Sequence, residues 1–246
     1  MLSFGSLFRM AVVAGVAAGL VLGAFHLFAT EPTIDAAIAI EESKMAAMPG
    51  MAEEAPVVSR EMQKVGLIAG FAIYGISLGV LCCGAFFVIR RFVPDISPAN
   101  QGALLALIGY WCLALGPFLK YPANPPGVGD PDSIGMRQGV AVAYMAFLLA
   151  GAFISLKLPE ALGRRIEIWQ LIAGNLAFAV VLWLVMPVNP DPVEMPAGLV
   201  LQFRLLSIAG LTLFWAVLGG LFVWQVRRST PGRAGLPSAL TGPTPA

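Results

Sequence analysis

The sequence has 246 residues, of which 58% are hydrophobic and only 12% are charged. A soluble globular domain is typically about half apolar and a quarter charged, so this composition excludes an ordinary water-soluble domain and indicates a protein embedded in a lipid bilayer. The formal net charge is +1, and the sequence has no basic patch suited to nucleic acid beyond ordinary juxtamembrane arginines.

Six apolar stretches are long enough, or nearly so, to cross a bilayer as helices, which takes about 20 residues. They are Ala11–Ala29, Val65–Ile89, Gly102–Leu119, Gly139–Leu156, Ile168–Val188 and Leu205–Val226. We predict an all-α bundle of about six transmembrane helices over residues 1–228, followed by a disordered cytoplasmic tail at 229–246. Arg9 and the apolar run after it also resemble a secretory signal, but the run is long for one.

The charged residues predict the orientation of this multi-pass bundle. Lys and Arg collect in cytoplasmic loops. They dominate one end of the predicted spans, at Arg9, Arg90, Arg91, Lys157, Arg164, Arg165, Arg227, Arg228 and Arg233. Acidic residues dominate the other end, whose loops cover 30–64, 120–138 and 187–204. We therefore expect both termini in the cytoplasm and these three loops outside.

The first span carries Gly15, Gly19 and Gly23 on one helix face. Small residues at every fourth position let helix backbones approach closely, so we expect these glycines to pack against a neighbouring helix. The second span repeats the spacing at Gly66/Gly70 and Gly75/Gly79.

The outer loop 30–64 is acidic and contains Met45, Met48 and Met51. Thioethers select soft ions such as Cu(I), so one interpretation of the spacing is copper collection. The other, which we favour, is an apolar patch against the membrane or a neighbouring loop.

The stretch PFLKYPANPPGVGDPDSIG, Pro117–Gly135, is a stiff polar segment between two apolar spans. Its prolines fix their own dihedral angle and have no N–H to satisfy, and its glycines permit sharp turns. Such a proline loop can hold Asn124, Asp130 and Asp132 in fixed positions at the mouth of the bundle. A rigid cap that only seals two helices is the structural alternative.

The single histidine, His26, lies near the outer end of the first span, at the predicted level of the proline loop. An ionisable side chain within a span is a functional hypothesis by default, and imidazole with carboxylate and amide oxygens suits Co(II), Ni(II) or Zn(II). His26, Asn124, Asp130 and Asp132 are therefore our candidate metal ligands, with a packing role for the histidine as the alternative. One histidine excludes a bis-His haem within this chain.

Two arginines stand close to the predicted outer end: Arg137 opens the fourth span and Arg204 opens the sixth. We expect both to fix the proline loop, because an arginine beside a cation pathway repels the cargo. Asp130, Asp132 and Glu194 are the expected partners of Arg204.

Two similar stretches each follow an apolar span: YPANPP follows the third span and MPVNPDP follows the fifth. Transporters are often built from repeats, but proline also collects at helix ends for its own reasons. No G-x-x-x-x-G-K-[ST] phosphate loop and no nucleophile–base arrangement occurs, so we expect neither an enzyme nor a permanently bound cofactor.

The proline loop resembles the signature of the probable cobalt transporter subunit family, CbtA. The stretch LVLQFRLLSIAGLTLFWAVLG, Leu199–Gly219, is similar to that family's last span, and GVAAGLVLGAFH in the first span also fits. The resemblance implies an inner-membrane subunit of a bacterial transporter that moves cobalt inward for cobalamin synthesis, with the cobalt ion as cargo.

The resemblance also implies a small one-span partner subunit that carries a histidine-containing motif. A homo-oligomer is another source of further metal ligands. A purely structural assembly subunit and a copper or nickel transporter are the alternative functions.

Overall fold

The computed structural model describes residues 2–47, 58–163 and 167–229, and these ranges are helices joined by short loops, with no strand among them. The helices are α1 Phe4–Phe25, α2 Glu31–Ala46, α3 Arg60–Phe92, α4 Pro98–Tyr110, α5 Gly116–Lys120, α6 Ile134–Ala161, α7 Ile168–Val185 and α8 Ala197–Ser229. The all-α prediction is confirmed. Met48, Met51 and the predicted tail from residue 230 onward lie outside the described residues.

Within the described residues, five helices are long and apolar enough to cross a membrane, and the apolar part of α7, Trp169–Val185, is shorter. The five are Phe4–Ala46, Arg60–Phe92, Pro98–Lys120, Pro131–Ala161 and Ala197–Ser229. The predicted fifth span, Ile168–Val188, therefore corresponds to the shortest of the apolar spans that the structure describes. Serines begin three of the helices: the hydroxyls of Ser3, Ser59 and Ser97 accept the backbone N–H three residues later, which satisfies a donor that the helix itself cannot use.

Two of the long helices contain a π-helical turn, at His26–Thr30 and Trp111–Leu115. Each turn ends two residues before a proline, Pro32 or Pro117. A proline inside a helix loses one backbone hydrogen bond, and its ring collides with the carbonyl four residues earlier. A local π turn is one of the adjustments by which a membrane helix accommodates a proline, and both helices continue through theirs.

This continuity changes the picture of segment 30–64, which we expected to be a loop. Its first part, Glu31–Ala46, continues the first helix, and its last part begins α3 at Arg60. The composition of Glu31–Ala46 is polar and rich in small residues, and its many alanines favour a helix.

The α1 helix lies between α3 and α8 and forms the centre of the core, where Leu7, Leu22, Phe86 and Phe214 are fully buried. Glycines bring α1 and α3 into backbone contact. A Cβ atom at Gly15 would overlap the carbonyl oxygen of Gly75, and one at Gly75 would overlap that of Gly15.

The other glycines of the repeat divide into two groups. Gly19 and Gly23 lie against Phe71 and Ile68 of α3, in line with the packing expected of the stripe. In contrast, Gly66 and Gly70 have open space where a Cβ would be, so their spacing serves no close packing against the described residues.

The described parts of the three predicted outer loops meet at one end of the bundle, which we call the loop end. There α2 reaches the 186–196 loop through a hydrogen bond from Lys44 Nζ to the Glu194 carbonyl, 2.6 Å long. At the opposite end, aromatic rings contact each other: Phe4 contacts Phe87, and Phe92 contacts Phe153.

Candidate functional site

Asp191 joins the proline loop to the 186–196 loop. Its side chain is only 5% exposed, and its Oδ2 accepts hydrogen bonds from Ser133 Oγ at 2.7 Å and from the Asp130 backbone N–H at 3.1 Å. The same oxygen lies 3.1 Å from Arg137 Nε, in an ion pair whose angle is poor for a hydrogen bond. A single buried carboxylate thus ties two loops and the start of α6 together.

The proline loop passes close to these groups because two of its glycines adopt positive φ angles. Gly129 has φ 100°, and a Cβ there would be 2.8 Å from Asp191 Oδ2. Gly127 has φ 75°, and a Cβ there would be 2.8 Å from Glu41 Oε2 of α2. Side chains rarely adopt such angles, so glycine is required at both turns.

The predicted ligands Asp130 and Asp132 lie together at an exposed turn. Asp130 Oδ1 accepts the Asp132 backbone N–H at 2.9 Å and begins the short 3-10 turn Pro131–Ser133, which leads into α6. One carboxylate oxygen of Asp130 therefore has a structural task, and the Asp132 carboxylate faces solvent. These side chains can attract a hydrated cation to the loop end.

Arg204 binds the proline loop, but through a different partner from those expected. Its Nη2 donates to Asn124 Oδ1 at 2.8 Å, and its Nε donates to the Ala123 carbonyl at 3.4 Å. The expected partners were acidic side chains. The amide oxygen that we considered as a metal ligand therefore accepts a hydrogen bond from a guanidinium group, which disfavours a cation at the same atom.

The described contacts of His26 are with other residues. Its Nδ1 is 2.8 Å from Thr30 Oγ1, its ring stacks on Phe71 at 5.1 Å between centroids, and its Nε2 faces Gly210 of α8. The structure therefore places the imidazole between α1, α3 and α8. Within residues 2–47, 58–163 and 167–229, no three His, Cys, Asp or Glu side chains come together as a metal site.

A cavity of about 440 Å³ opens between the two loops and the ends of the neighbouring helices. Its charged and amide lining residues are Lys120, Asn124, Arg137, Asn189, Asp191 and Arg204. Three cations therefore face one carboxylate, and that carboxylate is already paired with Arg137. This charge balance suits an anion better than a cation.

A second charged cluster joins α2 to the start of α3. Arg60 Nη2 contacts Glu31 Oε2 and Asp35 Oδ1, and Lys64 Nζ lies 3.6 Å from Asp35 Oδ2. Glu31 is buried, with only 5% exposure. Two acids balance two bases here, which is the arrangement of an ion-pair network that fixes α2 upon α3.

Most polar side chains inside the predicted spans form hydrogen bonds within their own helices. The hydroxyls of Ser77, Ser207 and Thr212 donate to carbonyls four residues earlier. Thr212 Oγ1 also lies 2.8 Å from Tyr110 Oη of α4. Asn175 joins α7 to its neighbours, since its Oδ1 accepts from Trp111 Nε1 at 3.1 Å and its Nδ2 donates to Ser155 Oγ of α6 at 3.5 Å.

The sequence reasoning missed Asp191, although one signal pointed to it. Asp191 lies in MPVNPDP, the stretch that is similar to YPANPP of the proline loop. Both stretches follow an apolar span directly. Two loops that leave the bundle at one end can meet there, so an acid in the second was a candidate partner for the arginines near the first.

Comparison with known protein families and structures gave one match. The family model described as "Probable cobalt transporter subunit (CbtA)" matches residues 4–227, which is nearly the whole chain. No curated protein and no solved structure showed significant similarity.

Proposed function

The chain belongs to the family of probable cobalt transporter subunits, and from this premise we propose that it forms the membrane-embedded part of a complex that takes up cobalt. The family match over residues 4–227 is the observation that carries this proposal. The multi-pass helical fold supports it, because a path for an ion requires a bundle that spans the bilayer.

In this proposal the loop end faces the outside of a bacterial inner membrane, and both termini lie in the cytoplasm. The support is the charge distribution of the sequence, since Lys and Arg dominate the opposite end. The acidic residues of the loop end then attract cations before they reach the bundle.

The first contact with the metal falls to Asp130 and Asp132, because both are exposed at the loop end. Asn124 has a smaller part than the sequence suggested, since Arg204 occupies its amide oxygen. Two carboxylates attract and orient a hydrated cobalt ion, but they do not complete a coordination sphere.

Further ligands come from another subunit in this proposal. His26 is the only histidine in the chain, and its described contacts are with Thr30, Phe71 and Gly210. A small one-span partner that carries histidines supplies the missing imidazoles, and the description of the family as a transporter subunit supports the presence of a partner. A second copy of this chain is the other source.

Uptake of labelled cobalt tests the role of the carboxylates. The cells carry the native complex and lack other cobalt importers. Asp130→Asn retains the oxygen that begins the 3-10 turn and removes only the charge, and Asp132→Asn does the same at the neighbouring position. We expect the double variant to slow initial uptake at low cobalt concentration by about tenfold, the lower limit of electrostatic steering.

Glu160→Gln is the matched control, because Glu160 is an exposed carboxylate at the opposite end whose ion pair among the described residues is with Lys157. Uptake by the Asp130→Asn/Asp132→Asn variant equal to that of this control would remove the proline loop from metal capture.

A structural assembly subunit remains a second candidate, because the polar groups of the two loops satisfy one another. In that case the carboxylate variants transport normally, and only variants that disturb helix packing lose the complex. Metal content of the purified complex, after cobalt, nickel, copper and zinc are offered together, separates cobalt uptake from copper or nickel uptake.

A further inference from the structure

The 440 Å³ cavity at the loop end carries more positive than negative charge. Asp191 is its only acidic lining residue among those that the structure describes, and Asp191 is paired with Arg137 at 3.1 Å. The remaining charged lining residues are Lys120 and Arg204, and neither has a carboxylate oxygen within 4.0 Å in the described part of the chain.

The hydrogen bonds of these two cations go to neutral oxygens. Lys120 Nζ donates to the Trp183 carbonyl at 2.6 Å, and Arg204 donates to Asn124 Oδ1 and the Ala123 carbonyl. These contacts hold the two side chains in place without cancelling their charge. A lysine has three donors and an arginine five, so both keep donors for a ligand in the cavity.

The position of Lys120 relates the cavity to the surface of the bilayer. Lys120 is the last residue of an apolar helix, and its Nζ lies 4.8 Å from the centroid of the Trp183 ring, close to the end of α7. Lys and Trp at the ends of apolar helices are typical of the level of the lipid headgroups. On the cytoplasmic side of membrane proteins, basic pockets between transmembrane helices bind phosphate-bearing headgroups, and a cationic pocket at the outer headgroup level offers the phosphate the same contacts.

The rest of the lining suits a ligand with an apolar part. Val128, Met136, Val140, Val188 and Val193 contribute to the cavity wall. The volume falls in the range of cavities that hold small organic ligands, and it exceeds the space that a bare phosphate ion fills.

We propose that this cavity binds a phosphate group between Lys120 and Arg204, carried by an anionic phospholipid or by a small phosphate-bearing molecule. The phosphate oxygens accept hydrogen bonds from Lys120 Nζ and from the Arg204 guanidinium, and the apolar wall contacts the body of the ligand. The site is separate from metal capture, because it lies among cations that repel a divalent metal.

Native mass spectrometry of the purified protein in detergent tests the site with four probes. These are short-chain phosphatidylglycerol, the matching diacylglycerol without phosphate, glycerol 3-phosphate and inorganic phosphate. We expect saturable binding of one phosphate-bearing probe and none of diacylglycerol. Binding of phosphatidylglycerol alone identifies a lipid ligand, and equal binding of glycerol 3-phosphate identifies a soluble one.

Lys120→Gln and Arg204→Gln each remove one charged donor, and each should weaken binding about tenfold or more, the loss expected for one charge-assisted hydrogen bond. Lys157→Gln, a lysine at the opposite end, should bind as the wild type does. If Arg204→Gln fails to fold, Lys120→Gln decides alone. The absence of saturable phosphate binding, or a Lys120→Gln variant that binds as tightly as Lys157→Gln, overturns the proposal.

Discussion

The two sides of the bundle are held together in different ways. On the side of α1, α3 and α8, backbones touch at glycines and large side chains are fully buried. On the side of α6 and α7, most apolar side chains point outward. In the most apolar 18-residue window of Phe4–Ala46, 39% of the residues are buried. In the most apolar window of Pro131–Ala161, only 17% are buried.

This difference shows where the structure depends on packing and where it depends on individual polar contacts. A bilayer covers exposed apolar side chains as well as a protein neighbour does, so low burial does not itself destabilise α6 and α7. Their positions are fixed by a small buried cluster around Tyr144, Leu148 and Ala179, by a few hydrogen bonds and by the ion pair of Arg137 with Asp191. The cavity forms where these two kinds of packing meet.

Filling the α1–α3 contact should have the largest effect. Gly15→Ala places a methyl group where the Gly75 carbonyl oxygen now lies, and only a shift of one whole helix can relieve the overlap. We expect a loss of about 3 kcal/mol in the free energy of unfolding, at the upper end for overpacked cores. Unfolding of the purified protein in mixed micelles by increasing SDS measures it.

Gly70→Ala is the matched control, because Gly70 belongs to the same type of repeat and has open space beside its Cα. Alanine is the better helix former by up to about 1 kcal/mol, so this variant should be as stable as the wild type or slightly more so. Equal destabilisation by both substitutions would show that the glycine contact does not hold the two helices together.

Breaking the ion pair at the loop end should have a smaller effect. Asp191→Asn keeps the shape of the side chain but leaves the Arg137 guanidinium without its carboxylate. Loss of one partner of a buried pair costs about 3–5 kcal/mol, and since the Arg137 side chain is 25% exposed, water reduces this to about 2 kcal/mol. The same SDS titration measures the change.

A double variant distinguishes the ion pair from general damage to the loops. Arg137→Gln combined with Asp191→Asn leaves no unpaired charge, so its destabilisation should be clearly smaller than the sum of the two single effects. Strict additivity would mean that the two side chains do not interact in the folded protein.

The fold could be predicted from the sequence because the apolar stretches are long and their glycines lie four residues apart. The boundaries of the spans were harder to predict, because Glu31–Ala46 has the composition of a loop but continues the first helix through Pro32. That continuation needs a π turn, for which no sequence pattern was available. The predicted fifth span also included residues 186–188, which belong to a loop because α7 ends at Val185.

The sequence predicted which types of residue lie at the candidate site, but not which of these residues contact each other. The proline loop, Arg137 and Arg204 were identified, and the structure places all of them at one end. Which acid meets which arginine depends on how two distant loops lie against each other, and local sequence does not encode this. For this reason Asp191 was missed, and Asn124 was considered as a metal ligand although it binds Arg204.

Removal of the hydrogen bond that joins α7 to the third span should have the smallest effect, and it tests the polar attachment of the loosely packed side. Asn175→Leu keeps the size of the side chain and removes the acceptor of Trp111 Nε1. Hydrogen bonds between transmembrane helices contribute about 0.6 kcal/mol on average and rarely more than about 1.7 kcal/mol, so we expect a loss near 1 kcal/mol in the SDS titration, with faster amide exchange in α7. Ser77→Ala is the control, because the Ser77 hydroxyl donates only to the Ile73 carbonyl of its own helix and its removal should change neither quantity. If Asn175→Leu behaves like Ser77→Ala, then α7 is held mainly by its apolar contacts and by the hydrogen bond of Lys120 with the Trp183 carbonyl, and the polar attachment at Asn175 contributes little.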